Sequence, residues 1–232
     1  MMRAATIIAR MTLLRLARGR SLWVSGLVLL FVPAVAIITR AAGTESWRSA
    51  LETALHFSVL LVAPIHLAGA VGEEVEVKTH TYLWSRPLPR EALLVGKLLA
   101  IVPLLAVAGV IALIAAYLAA GGLAAAPVGE LLRALVAIVA GSIAAAAVSV
   151  GLGALFPRHP LVLAVAYLLA AEHLLWLLPE SVKNLSVLWH MTSVASGQEI
   201  GFHLGALAVQ ATLWLGVGVW RVRTAEYAGM EG

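Results

Sequence analysis

Residues 73–100 read EEVEVKTHTYLWSRPLPREALLVGKLLA, and this stretch sits between two long apolar runs, roughly 52–71 and 92–120. It gathers eight charged side chains in a chain of 232 residues that is 62% hydrophobic and only 12% charged. Mean hydropathy is +0.97. A water-soluble domain needs more polar surface than this to cover its core, so the composition reads as an integral membrane protein. The net charge of +4 then reads as a topology signal and headgroup contact rather than as affinity for nucleic acid. Cysteine is absent, which excludes disulfides, thiolate metal sites and a cysteine nucleophile.

Working outward from 73–100, runs of about 20 apolar residues, enough to cross about 30 Å of hydrocarbon as helix, fall at 22–39, 52–71, 92–120, 131–155, 161–179 and 204–220. The two-residue alternation of a barrel strand is missing. Backbone groups in lipid must bond within their own segment, so helix is the remaining option. The expectation is an all-α integral membrane protein of six transmembrane helices, one transmembrane domain over 1–232, with the bundle at 22–220. With a cytoplasmic N-terminus, twelve Lys and Arg residues fall inside and four (Arg40, Arg48, Arg133, Lys183) outside. That bias puts both termini, and the 73–91 loop, in the cytoplasm.

Residues 1–20, MMRAATIIARMTLLRLARGR, are too short and too charged to span. Arg3, Arg10, Arg15 and Arg18 share one arc of a helical wheel, with Met2, Ala5, Ala9, Leu13 and Leu16 opposite and Ile7 and Leu14 among the arginines. The pattern predicts an amphipathic helix lying in the interface. A signal peptide is the rival reading, but its removal would leave an odd number of spans. In the outer loop at 180–203, Leu185, Leu188 and Trp189 predict a short helix against the headgroups, with a turn in the Ser/Gly run after it. In the fourth span Gly141, Ser142, Ala145, Ser149 and Gly153 form a small-residue face for close helix packing.

Chemistry-bearing motifs are sparse. Gly96-Lys97 lacks both the glycine five positions earlier and the Ser or Thr that a phosphate-binding loop needs after the lysine. Neither a nucleophile elbow nor a His-Glu-x-x-His pair is present. No catalytic, cofactor or metal residues are assigned. His56 and His66 lie about 15 Å apart along a helix, too far to share a metal. His190, Met191 and His203 have the donor atoms for a soft metal but a spacing that favours ordinary loop residues. Glu172 and His173 sit inside the fifth span, where a carboxylate is unfavourable by a few kcal/mol unless it faces the bundle interior. With His56 at a similar depth, they are candidates for polar groups on a translocation path. A buried structural pair is the competing reading.

The charged stretch itself predicts a helix leaving the second span and stopping before Pro87, a stiff Ser-Arg-Pro-Leu-Pro turn, and a new helix from Glu91. Glu73, Glu74 and Glu76 add nothing to topology, and Tyr82, Leu83 and Trp84 put apolar bulk at the surface. Such a stiff elbow can pass force from a partner to two membrane helices. Its acidic run, Lys-Thr, Leu-x-Ser-Arg-Pro-Leu-Pro-Arg and Gly-Lys-Leu-Leu resemble the first cytoplasmic loop of type-2 ABC exporter permeases, the ABC-2 type. The family more often has Gly-Thr where Val77, Lys78 and Thr79 stand.

The resemblance implies an exporter permease with a coupling helix between spans 2 and 3. Glu73, Glu74, Glu76, Lys78 and Thr79 would lie at an ATPase surface. Arg86, Pro87, Pro89 and Arg90 would fix the turn, and Lys97 would anchor the third span. It further implies two cytoplasmic ABC ATPase subunits that hold ATP and Mg, with no cofactor in this chain. A second six-span permease, identical or related, membrane lipid and a prokaryotic inner membrane complete the expectation. The alternatives are a non-transporting membrane anchor or assembly factor, and a proton-coupled secondary transporter working through Glu172.

Overall fold

A computed structural model describes residues 2–19, 21–70 and 89–224. Every regular element among them is helical: α1 (Met2–Arg18), α2 (Ser21–Ala41), α3 (Ser46–Leu67), α4 (Glu91–Ala120), α5 (Val128–Leu155), α6 (Pro160–Trp176), α7 (Val187–Ser196) and α8 (Ile200–Thr224). Of the predicted loop at 73–91, residues 73–88 lie outside the described residues.

Five of these helices, α2, α3, α4, α5 and α8, are long and apolar enough to cross a bilayer. The expected fifth span, 161–179, corresponds to α6, which has 17 residues and so stays below that length. Its middle, Ala166–Ala171, is wound with i→i+5 hydrogen bonds. Such wide turns cover less depth than an α-helix of equal length. Another π segment, Ala54–Val59, interrupts α3. That helix also starts earlier than the apolar run predicted, because Trp47 and Ala50 are buried while Arg48 and Glu52 pair at 3.1 Å on the exposed side.

The centre of the bundle is α5. In its most apolar window 72% of residues are buried, against 17% in α2 and 11% in α8. Hydrophobicity cannot hold helices together in lipid, so close packing has to, and α5 achieves it with small residues. Met191 of α7 lies against Gly141, and Trp214 of α8 lies on Gly151, where a methyl group would meet its ring at 2.7 Å. The Ala68 carbonyl, just past α3, presses on Gly153. Ser142 and Ser149 turn their hydroxyls back to Ile138 O and Ala145 O, each at 2.7 Å, and leave no polar group facing a neighbour.

α1 packs on the first turns of α4. A side chain at Gly96 would meet Ala5 O and Ile8 Cβ at 2.7 Å. Ala5 is buried and Ala9 and Leu16 half-buried, whereas Met2 and Leu13, assigned by the wheel to the same face, are exposed. The contact face is rotated towards Ile8 and Thr12 because Gly96 admits a close approach there.

α7 departs from its expected place on the headgroups. It ends at Gly197, which adopts φ +84 beside Arg133, while Met191 reaches Gly141. Those two contacts on α5 are eight residues apart, about 12 Å of helix. So α7 starts inside the bundle and runs along α5 towards its first turns, with Val187, Leu188, Met191 and Val194 buried.

Replacing Gly153 with Leu, opposite the Ala68 carbonyl, should destabilise the fold by about 1–3 kcal/mol. Thermal unfolding in detergent checks this, with Gly205→Ala as the neutral control, since nothing lies within 4 Å of a methyl group there.

Candidate functional site

Of the residues expected at the elbow, Glu73, Glu74, Glu76, Lys78, Thr79, Arg86 and Pro87 lie outside the described residues. Pro89 and Arg90 open α4, where Ala92 N and Leu93 N donate to Pro89 O and Arg90 O at 2.9 and 3.3 Å. The first turns of α4 form a junction. Glu91 pairs with Arg223 near the end of α8 at 2.7 Å. Gly96 receives α1. Lys97 is 6% exposed and donates from Nζ to Ala70 O at 2.9 Å, where the second predicted span ends. Its ammonium thereby ties α4 to the chain three residues past the end of α3. α1, α3, α4 and α8 therefore meet within seven residues of sequence, directly after the proline turn.

A second polar cluster lies deeper, at the level of the two π segments. Glu172, fully buried, follows the π segment of α6. Its Oε2 accepts from Ser186 Oγ at 2.7 Å and from Leu188 N at 3.1 Å. Ser186 Oγ in turn accepts from Trp189 N at 3.0 Å. The carboxylate and hydroxyl together cap the N-terminus of α7, whose first N–H groups have no partner in their own helix. Glu172 Oε1 and His173 Nδ1 are buried with no hydrogen bond among the described residues. His56, in the π segment of α3, stacks edge-on to His173 with ring centroids 5.2 Å apart, and Trp176 closes the group at 6.2 Å. The structure thus brings the three residues singled out by sequence into one neighbourhood. The partner of Glu172 is Ser186, which no spacing could have indicated.

Two further polar pairs join histidines that the sequence had offered only as metal donors. Ser25 Oγ and His66 Nε2 meet at 2.6 Å between α2 and α3. At the α7–α8 junction His190 Nδ1 and His203 Nδ1 are 2.7 Å apart, and His190 Nε2 donates to Asn184 O at 3.0 Å. A carbonyl only accepts, so His190 carries its proton on Nε2 and accepts through Nδ1, and His203 donates. Burial holds the His190 imidazole below the ordinary histidine pKa. The Asn184 bond acts in the opposite direction, and the nearby His203 adds to the depression.

The family model described as ABC-2 family transporter protein matches residues 10–171, well over half of the chain. The chain belongs to the ABC-2 transporter family. No curated protein matches it. This ABC-2 chain is a multi-pass membrane permease, and membership implies association with ABC ATPase subunits and with lipid. The match includes the 73–97 stretch and His56 and ends one residue before Glu172, so the α7 cap falls beyond the matched region.

Glu172→Gln keeps an acceptor for Ser186 and Leu188, whereas Glu172→Ala leaves a buried N–H and hydroxyl without one. We expect the Ala variant to lose about 1–3 kcal/mol relative to the Gln variant, read as the difference between their thermal unfolding temperatures. A second expectation concerns pH. The folded chain favours neutral His190, so the unfolded chain binds the proton more readily. This part of the stability is complete above the ordinary histidine pKa and is lost as pH falls below it towards the depressed folded value. Unfolding temperatures between about pH 8 and about pH 5 should fall for the native chain and fall less for His190→Gln.

Proposed function

We propose that this permease is the membrane subunit of an ATP-driven exporter, with α6 as the short fifth of six spans. Two copies, or one copy and a related chain, would form the pore. Two cytoplasmic ABC ATPases would supply the energy, and their ATP and Mg would be bound outside this chain. Both termini face the cytoplasm of a prokaryote, and the chain resides in its inner membrane. Supporting this orientation are the twelve Lys and Arg residues on one side against four on the other.

In this reading the 73–91 loop is the coupling helix. Glu73, Glu74, Glu76, Lys78 and Thr79 contact an ATPase, and the Arg86–Arg90 turn stiffens the connection. The single observation that carries the reading is the junction at the start of α4. Lys97 ties it to the end of α3, and Glu91 ties it to α8. A push on the loop from the cytoplasm would then tilt α3 and α4 together and draw α8 along. Glu172, His173 and His56 would line the path only above this lever. The capping bonds of Glu172 to α7 support a structural duty for it rather than proton coupling.

Reversing the charges at Glu73, Glu74 and Glu76 to Lys should lower cargo-dependent ATPase turnover and transport at least tenfold, while the unfolding temperature stays near that of the native chain. ATPase assays in liposomes holding the full complex check this. Unchanged transport by the triple variant would remove the loop from the coupling route.

A further inference from the structure

Where α2 gives way to α3 and α4 to α5, a cavity of about 650 Å³ opens at the end of the bundle. That is the size of a small-ligand site. Its wall carries Arg40, Glu45, Arg48 and Glu130, two cations and two anions, so it is neutral as a whole but polar in its parts.

These charges do not all cancel one another. Arg48 pairs with Glu45 at 3.9 Å and with Glu52 at 3.1 Å, through exposed side chains. Arg40 gives one nitrogen to Ala119 O at 2.9 Å, and no carboxylate pairs with it among the described residues. Half-buried Glu130 accepts only the Trp47 indole N–H, at 3.2 Å, and no cation pairs with it among those residues. A guanidinium and a carboxylate, each with bonding capacity left over, thus face one cavity. An anion would be repelled by the second, and a cation by the first. A zwitterion satisfies both.

The apolar surface beside the cavity indicates what that zwitterion is attached to. Ile37 and Ile38 precede Arg40 on α2, and Leu118 precedes Ala119 on α4. All three are exposed by 58–66% on helices of spanning length. Acyl chains lie along such faces. We propose that the cavity binds a zwitterionic phospholipid, with the phosphate on Arg40 and a primary ammonium on Glu130. A guanidinium fork suits phosphate oxygens, and an ammonium with N–H donors forms a charge-assisted bond that a quaternary amine cannot. Both leaflets have headgroups, so the inference does not depend on which way the chain is inserted.

The test is native mass spectrometry of the full chain in detergent with equal amounts of phosphatidylethanolamine, phosphatidylcholine and phosphatidylglycerol. We expect one phosphatidylethanolamine to be retained about tenfold over either other lipid, the ratio that about 1.4 kcal/mol gives. Glu130→Gln keeps an acceptor for Trp47, so its unfolding temperature should hold while the preference over phosphatidylcholine disappears. Arg40→Gln should lose the retained lipid. Equal retention of the three lipids, or an undiminished preference in Glu130→Gln, overturns the proposal. Displacement of the lipid by millimolar soluble phosphoethanolamine would assign the cavity to a soluble zwitterion and overturn the lipid source.

Discussion

A peptide group taken out of water into hydrocarbon has to find its hydrogen bond inside the protein. Within a helix the ladder provides it. At the ends of a helix it does not, and four donors or four acceptors are left over. In this chain many of the few polar side chains go to those ends. Lys97 donates to Ala70 O, Arg40 to Ala119 O and Ser46 to Ala120 O. Tyr117 closes the turn after α4 through Ala126 O at 2.8 Å. Glu172 and Ser186 serve the N-terminus of α7, which starts inside the bundle, where water is not at hand.

The same constraint explains what could be foreseen from sequence. Apolar runs long enough to span must be helices, so α2, α4, α5 and α8 were legible to within a few residues. The small-residue face of α5 was legible for the same reason, because Gly and Ser at fourfold spacing have little use other than close approach. Less legible were features that depend on neighbours. The π segments of α3 and α6 change helix pitch without changing composition, so a uniform window over 161–179 overstated the length of α6. The rotated face of α1 depends on Gly96, ninety residues away in sequence. The buried start of α7 depends on Gly141 and on Glu172, neither of which is on it.

The polar candidates divide along the same line. His56, Glu172 and His173 could be chosen because ionisable groups in a span are costly and so have a reason to be there. What each one does was hidden, since a capping partner such as Ser186 looks like any loop serine. Lys97 shows the converse. A lysine at the start of an apolar run reads as a topology marker, yet only the fold shows that it is buried and bonded to the backbone just past α3. The resemblance of 73–98 to exporter loops implied an anchoring role for Lys97 and left this bond to be found.

These helix-end bonds also bear on how such a bundle could move. Those of Lys97, Arg40 and Ser46 join a side chain on one helix to the backbone of another segment, and those of Lys97 and Ser46 are sheltered from water, which strengthens them. Lateral packing in lipid, through Gly and Ala, is by contrast a sum of weak contacts that a small rotation can exchange for others. A load applied at the start of α4 would therefore be borne first by Lys97 and Glu91, while the faces around Gly141 and Gly151 slide. α5, packed on three sides through small residues, then acts as the axle about which α3 and α8 shift. In the proposed lever, force enters through bonds made at helix ends and is released as motion along the small-residue seams at Gly141 and Gly151.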